Sequence, residues 1–145
     1  MATSPQRILH LIVAGQAFGY DFAKMPISTV FSINNMLRSP ISEHLESRMG
    51  AIVFNLFSIP ELIGPGIAFE CIIKQGFHVN EDYFYPEVIN VCTQEPVGLG
   101  EMGELVLTSL ATQAMPIIRY RTGQLVKLEK EPCLCGRNLV RLLTP

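Results

Sequence analysis

The chain has 145 residues, 48% of them hydrophobic and 17% charged, with a formal net charge of −2. That is one ordinary domain's worth of polypeptide with ample apolar material for a core, which excludes an intrinsically disordered chain. The small negative charge gives no electrostatic case for nucleic acid or for an anionic membrane, and no apolar run reaches the roughly 20 residues of a membrane helix.

The start, Met1-Ala2-Thr3-Ser4-Pro5, lacks the basic-then-apolar pattern of a secretion signal, so a cytoplasmic location is expected. Ser4 is placed to cap a helix with Pro5 at its first position. Ile8, Leu9, Ile12 and Val13 then share one face at helical spacing, and Gly15 and Gly19 are expected to end it. Residues 20–26 read as a loop. Thr29-Val30-Phe31-Ser32-Ile33 is a short buried strand, with Asn34-Asn35 at its carboxyl end. Ser39-Pro40 opens a second helix, with Ile41, Leu45 and Met49 on one face and Gly50 just past its end. Ala51-Ile52-Val53-Phe54-Asn55-Leu56-Phe57 is the next strand, and it runs into a loop with two glycines and two prolines, Ser58-Ile59-Pro60-Glu61-Leu62-Ile63-Gly64-Pro65-Gly66.

Strand, helix, strand predicts a right-handed βαβ unit with parallel strands. The loops after both strands then open on the same sheet edge, where open α/β sheets hold ligands. Asn34-Asn35 should therefore face the loop from Phe57 to Glu61. After Gly66 the strand-like stretches 67–74, 87–92, 103–109 and 125–129 are short and broken by Gly, Pro, Asn and Asp. The predicted fold class is α/β: a βαβ unit of a parallel sheet followed by a small antiparallel β-sheet or distorted barrel. The division expected is residues 1–65, a partial nucleotide-binding subdomain, and 66–145, a β-rich subdomain.

Four cysteines in such a chain read as thiols or metal ligands, not as a disulfide framework. Cys133-Leu134-Cys135 is a tight pair, and Cys71 and His78 flank a predicted hairpin turn at Lys74-Gln75-Gly76. Metal pairs usually have two to four residues between ligands; reduced buried thiols and a surface histidine are the alternative. Cys92 reads as a core thiol, and His10 and His44 as surface groups. Glu81 and Asp82 are neighbours running into an edge strand, where adjacent residues point to opposite faces, which favours a solvated loop over a catalytic carboxylate pair. Neither a Ser/His/Asp set nor a phosphate-cradling loop with lysine is visible.

Phe57, three residues, Glu61, then Gly64-Pro65-Gly66 begin a longer pattern. It continues through Ile67-Ala68-Phe69-Glu70-Cys71, Asn80-Glu81-Asp82-Tyr83-Phe84-Tyr85-Pro86-Glu87, Gly100-Glu101-Met102-Gly103-Glu104-Leu105-Val106-Leu107-Thr108 and Pro116-Ile117-Ile118-Arg119-Tyr120-Arg121-Thr122-Gly123. In this order, over most of residues 51–139, the pattern resembles the acyl-adenylating (AMP-binding) ligases. Within them it is most like the phenylacetate–coenzyme A ligases and the related deazaflavin-adenylating synthetases.

The resemblance implies an ATP site. Glu61 would hold the Mg2+ that accompanies ATP, a role for which a carboxylate is a suitable hard ligand. Phe57 would stack on or line the adenine, and Ile33-Asn34-Asn35 would contact it through backbone groups. Two positions depart from the family: Ser58 replaces a loop glycine, and Gln124 stands where the family has an aspartate that accepts both ribose hydroxyls. An amide has one carbonyl acceptor and weaker bonds than a carboxylate, so weaker ATP binding is expected. The resemblance also implies a structural zinc site of Cys71, His78, Cys133 and Cys135.

The expected function is thus a segment of an ATP-dependent carboxylate–coenzyme A ligase. Its partners would be ATP, an aryl or other organic acid, coenzyme A and a second copy of itself. The family's phosphate loop, most of its acyl pocket and its C-terminal lysine domain have no counterpart in these 145 residues, so the chain alone is expected to be inactive. The departures at Ser58 and Gln124 keep two alternatives in view: a non-catalytic, zinc-stabilised binding or assembly module of the same fold, and a segment of a deazaflavin-adenylating synthetase.

Overall fold

The computed structural model describes residues 2–34, 41–62 and 65–145. In the first third, β1 (Ala2–Thr3) leads into α1 (Pro5–Ala17), a 3-10 turn (Phe22–Lys24), β2 (Thr29–Asn34), α2 (Ser42–Met49) and β3 (Ile52–Phe57). The βαβ expectation holds. β2 and β3 are parallel, in register from Thr29 opposite Ile52 to Asn34 opposite Phe57, with α2 as the crossover. α2 stops at Gly50, whose φ of 61° is the left-handed C-terminal conformation that glycine adopts without strain. The Ser39-Pro40 helix start lies outside the described residues.

Alternation sets which side of each strand meets the helices. Val30 on β2 and Val53 on β3 pack with Ile8 and Ile12 of α1, Leu45 and Met49 of α2, and Phe22 in one apolar cluster. Of the two glycines expected to end α1, Gly15 lies inside the helix, which stops at Ala17 ahead of Gly19. A Cβ on Gly15 would lie 2.3 Å from the Phe22 ring, so this glycine makes room for a tertiary contact inside the helix. Val13, expected on the buried face, is exposed.

The rest of the chain is antiparallel: β4 (Ala68–Glu70), β5 (Phe77–Val79), β6 (Phe84–Ile89), β7 (Gly103–Ser109), β8 (Tyr120–Glu129) and β9 (Arg141–Leu143). The strands form one nine-stranded sheet in the order β1-β2-β3-β4-β5-β9-β8-β7-β6. The second half is therefore an open sheet continuous with the first half, not a closed barrel. Its core includes Phe57, Leu62, Ile67, Leu105, Leu107 and Leu142.

β7 falls where expected. The stretch 67–74 shortens to three residues because Lys74, with φ 54°, already belongs to the hairpin turn. β8 starts five residues earlier than the expected 125. β1, β5 and β9, of two or three residues each, were not expected. The last lies between β5 and β8, which brings the chain's final residues into the middle of the sheet.

Candidate metal centre and strand-end site

Parallel pairing puts the carboxyl ends of β2 and β3 side by side. The Ser58 N–H donates to the Asn34 carbonyl at 2.8 Å, so the two strand-end segments are joined directly. Asn35 lies outside the described residues. The Phe57 side chain is fully buried in the larger core. Its carbonyl accepts the N–H groups of Gly66 (3.2 Å) and Ile67 (2.9 Å), which closes the Gly/Pro loop onto the strand end. Asn80 clamps the loop from the other side by donating Nδ2–H to the Gly66 carbonyl.

Glu61 is exposed on this loop. It borders a cavity of about 160 Å³ with Leu62, Ser109, Thr112, Met115 and Ile117; Gln124 is not among the lining residues.

Gln124 sits on a bulge. In β7 and β8, Glu104 pairs with Leu125 and Val106 with Arg121, so Thr122, Gly123 and Gln124 stand opposite Leu105 alone. Such bulges re-aim side chains and recur beside active sites. Thr122 holds this one by donating its hydroxyl to the Leu105 carbonyl (2.8 Å) and accepting the Gln124 N–H (3.2 Å). Gly123 has φ 70°, and its N–H donates to Glu104 Oε1 at 3.1 Å. Glu104 Oε2 accepts Arg121 Nε–H at 2.9 Å and also Nη2–H. Arg121 holds the Glu104 carboxyl below its usual range; burial opposes this and the Gly123 N–H assists it.

The four sulfur and nitrogen ligand candidates do converge. Cys71, His78, Cys133 and Cys135 offer ligand atoms that all lie within 4.8 Å of one another. Cys71 follows β4, His78 is in β5, and the two other cysteines lie on the arm that precedes β9. The Cys133 N–H donates to the Arg137 carbonyl (3.2 Å), and the Gly136 N–H to the Cys133 carbonyl (2.9 Å), so the arm turns tightly around the pair.

Cys71 Sγ and Cys133 Sγ are 3.8 Å apart, and Cys135 Sγ and His78 Nε2 are 3.5 Å apart. A tetrahedral zinc with the usual bond lengths has S–S edges of about 3.8 Å and S–N edges of about 3.5 Å. All four cysteines of the chain are free thiols. His78 is completely buried, yet its Nδ1 has no hydrogen bond of good geometry.

The local electrostatics favour the proton-free form at His78 and Cys135 and oppose it at Cys71. Burial, then Arg137 and Arg141, lowers the His78 pKa, while the Leu139 carbonyl acts the other way. Burial pushes the Cys71 thiol up. It also pushes Cys135 up, but the Arg137 amide and guanidinium, with the two other thiols, outweigh it and bring Cys135 to about 7.

Arg137 went unremarked in the sequence as a supporting group. Its Nη1 is 3.6 Å from Cys135 Sγ, and its guanidinium lies over the Phe69 ring at 5.6 Å. Phe69 in turn stacks against His78, with ring centroids 5.6 Å apart. Adjacency of Arg137 to the Cys-x-Cys pair was the available signal. Glu81 has a structural role: its Oε2 accepts the Val140 N–H at 2.8 Å and pins the arm. Cys92 is not a core thiol. It is exposed in the turn after β6, where its N–H donates to Asn90 Oδ1. His10 and His44 are exposed, as expected.

Comparison with known proteins places this geometry. No family model matches the chain. Over 103 residues, 70% of its length, it is 43% identical to the phenylacetate–coenzyme A ligase of Thermus thermophilus, and this stretch is 23% of that protein. The Pseudomonas putida phenylacetate–coenzyme A ligase is 45% identical over 85 residues, 58% of this chain and 19% of that one. The chain thus spans about a quarter or less of the curated relatives it matches. Among solved structures, an open conformation of 2-hydroxyisobutyryl-CoA ligase, in complex with 2-HIB-AMP and CoA, superposes with a TM-score of 0.87 at 21% identity, covering 98% of this chain and 32% of that one. A benzoate CoA ligase from Burkholderia xenovorans superposes at 0.59 with 14% identity, covering 97% of this chain and 30% of that one. These structural likenesses concern the fold.

Proposed function

This chain is homologous to one segment of the phenylacetate–coenzyme A ligases, and we propose that it supplies part of the nucleotide site of an ATP-dependent carboxylate–coenzyme A ligase. The supporting observations are the parallel β2–β3 pair, whose carboxyl ends are joined by the Ser58–Asn34 hydrogen bond, and the 40–46% identity of 58–70% of the chain to curated ligases. In this reading the backbone of Asn34 and Asn35 contacts adenine. Phe57, from the core beneath, and Ser58 fix the start of the loop that borders it.

Glu61 offers an exposed carboxylate of the type Mg2+ prefers. The metal, bound with the nucleotide, supplies charge neutralisation at the phosphate oxygens. Gln124, presented by the bulge, meets the ribose with one carbonyl acceptor. The names of the curated relatives favour coenzyme A over a deazaflavin as acyl or adenylyl acceptor.

Cys71, His78, Cys133 and Cys135 hold a structural zinc in the same reading. One sulfur–sulfur and one sulfur–nitrogen separation that match tetrahedral edges, and a buried imidazole, support it. Bound zinc supplies a closed cross-link between the β4–β5 hairpin and the arm that leads into β9. We propose further that the chain alone does not turn over, because the positioning and charge stabilisation that drive adenylation need groups it does not contain.

ATP–pyrophosphate exchange by the purified chain, with zinc and a panel of aryl acids, tests this. No exchange is the expected result; exchange refutes inactivity, and the acid that supports it names the substrate class. A non-catalytic, zinc-stabilised binding module is the second reading. It is favoured by the contrast between a complete metal-ligand set and a nucleotide edge that carries Ser58 and Gln124.

A further inference from the structure

We propose that Cys71 and Cys133 are an oxidisable pair that a peroxide converts to a disulfide, so that the hairpin and the arm stay tied when the metal is gone. This rests on the zinc reading above for its starting state. The two sulfurs are 3.8 Å apart and come from positions 62 residues apart in sequence. A disulfide needs about 2.05 Å, so the two sulfurs must come about 1.8 Å closer. The product would join the same two segments that the metal joins, and it would release His78 and Cys135.

Access orders the steps. Cys71 is 4% exposed and Cys133 5%, whereas Cys135 is half-buried and reaches solvent. Peroxide therefore meets Cys135 first. The peroxide O–O bond breaks, a sulfur–oxygen bond forms on Cys135, and one water leaves, giving a sulfenic acid. The Cys71 thiolate attacks that sulfur, and the hydroxyl departs with a proton from solvent as a second water. Cys133 then attacks the Cys71 sulfur of this mixed disulfide, and Cys135 leaves as a thiolate stabilised by Arg137 Nη1 at 3.6 Å. In total, the two thiolates lose two electrons, and one peroxide with two protons from solvent becomes two waters. Cys92 is exposed outside the cluster and serves as an internal control.

Zinc content of the purified chain is measured first. A zinc-free chain refutes the metal reading, and the oxidation is then run on the same chain as it stands. Hydrogen peroxide is added, released zinc is followed with a chromophoric chelator, and cross-links are mapped by mass spectrometry of unreduced peptides. A Cys71–Cys133 linked peptide should dominate and accumulate in step with zinc release. Cys135→Ser should slow its formation by about tenfold or more, since a buried thiol without a solvent-facing partner reacts slowly. Cys92→Ser, on the surface, should leave the product unchanged. Zinc release with Cys71 and Cys133 still open to alkylation, or chains cross-linked through Cys92, would overturn the proposal.

Discussion

Replacing Glu104 by Gln tests whether the β7–β8 bulge, and with it the placement of Gln124, is held by one carboxylate. The side chain is only 8% exposed and accepts three N–H groups: Arg121 Nε, Arg121 Nη2 and Gly123 N. A glutamine keeps the shape but turns an amide donor toward one set of these donors. The Arg121 side chain is 45% exposed, so its share is largely screened. What remains is the buried acceptor lost to Gly123, for a cost of about 1–2 kcal/mol.

Urea unfolding of a small domain has a slope of about 1–3 kcal/mol per molar, so the midpoint should fall by about 0.5–1 M. The acid limb carries an independent check. Arg121 foremost, opposed by burial and helped by Gly123, holds the folded-state pKa below the usual carboxyl value of 4.5. A depressed carboxyl contributes stability that is present above the unfolded-state pKa and is lost as pH falls through the folded one. The gap between wild type and Glu104→Gln should therefore be full near neutrality and shrink below about pH 4.5. A midpoint shift under about 0.2 M, or a gap unchanged on acidification, would refute the reasoning.

Other perturbations read other parts of the fold. Leu142 is fully buried in β9, so Leu142→Ala should cost about 2–5 kcal/mol by thermal or urea unfolding. Gly76 has φ +88°, and a Cβ there would lie 2.7 Å from the Leu142 carbonyl oxygen. Gly76→Ala should therefore destabilise by about 2 kcal/mol or more in the same assay. A carboxylate in place of Gln124 offers the ribose a charged acceptor; by titration calorimetry Gln124→Asp should tighten ATP binding about tenfold. No change there would favour the module reading over the nucleotide one.

The βαβ unit was legible because its signals are local: two short β-branched and aromatic strands, a helix with Gly50 just behind it, and a Gly/Pro loop. That Cys71, His78, Cys133 and Cys135 would come together was implied by the family resemblance; the hairpin turn and the Cys-x-Cys pair alone left reduced thiols and a surface histidine as the alternative. The end of α1 was not legible, since Gly15 answers to the Phe22 ring and not to its own helix. Nor was Cys92, which the usual burial of free cysteines assigned to the core while the turn after β6 turned it outward.

By itself, then, the sequence determined the local elements, the parallel pairing of two strands and the residue types able to hold a metal. Only the tertiary structure decided that three residues from Arg141 to Leu143 would enter the sheet between β5 and β8. That insertion carries the Cys-x-Cys arm to the hairpin and brings four ligand atoms within 4.8 Å. A three-residue strand has too little alternation to show a period. Its place is set by hydrogen bonds to strands about 60 and 15 residues away and by burial of Leu142, neither of which is written in its neighbours.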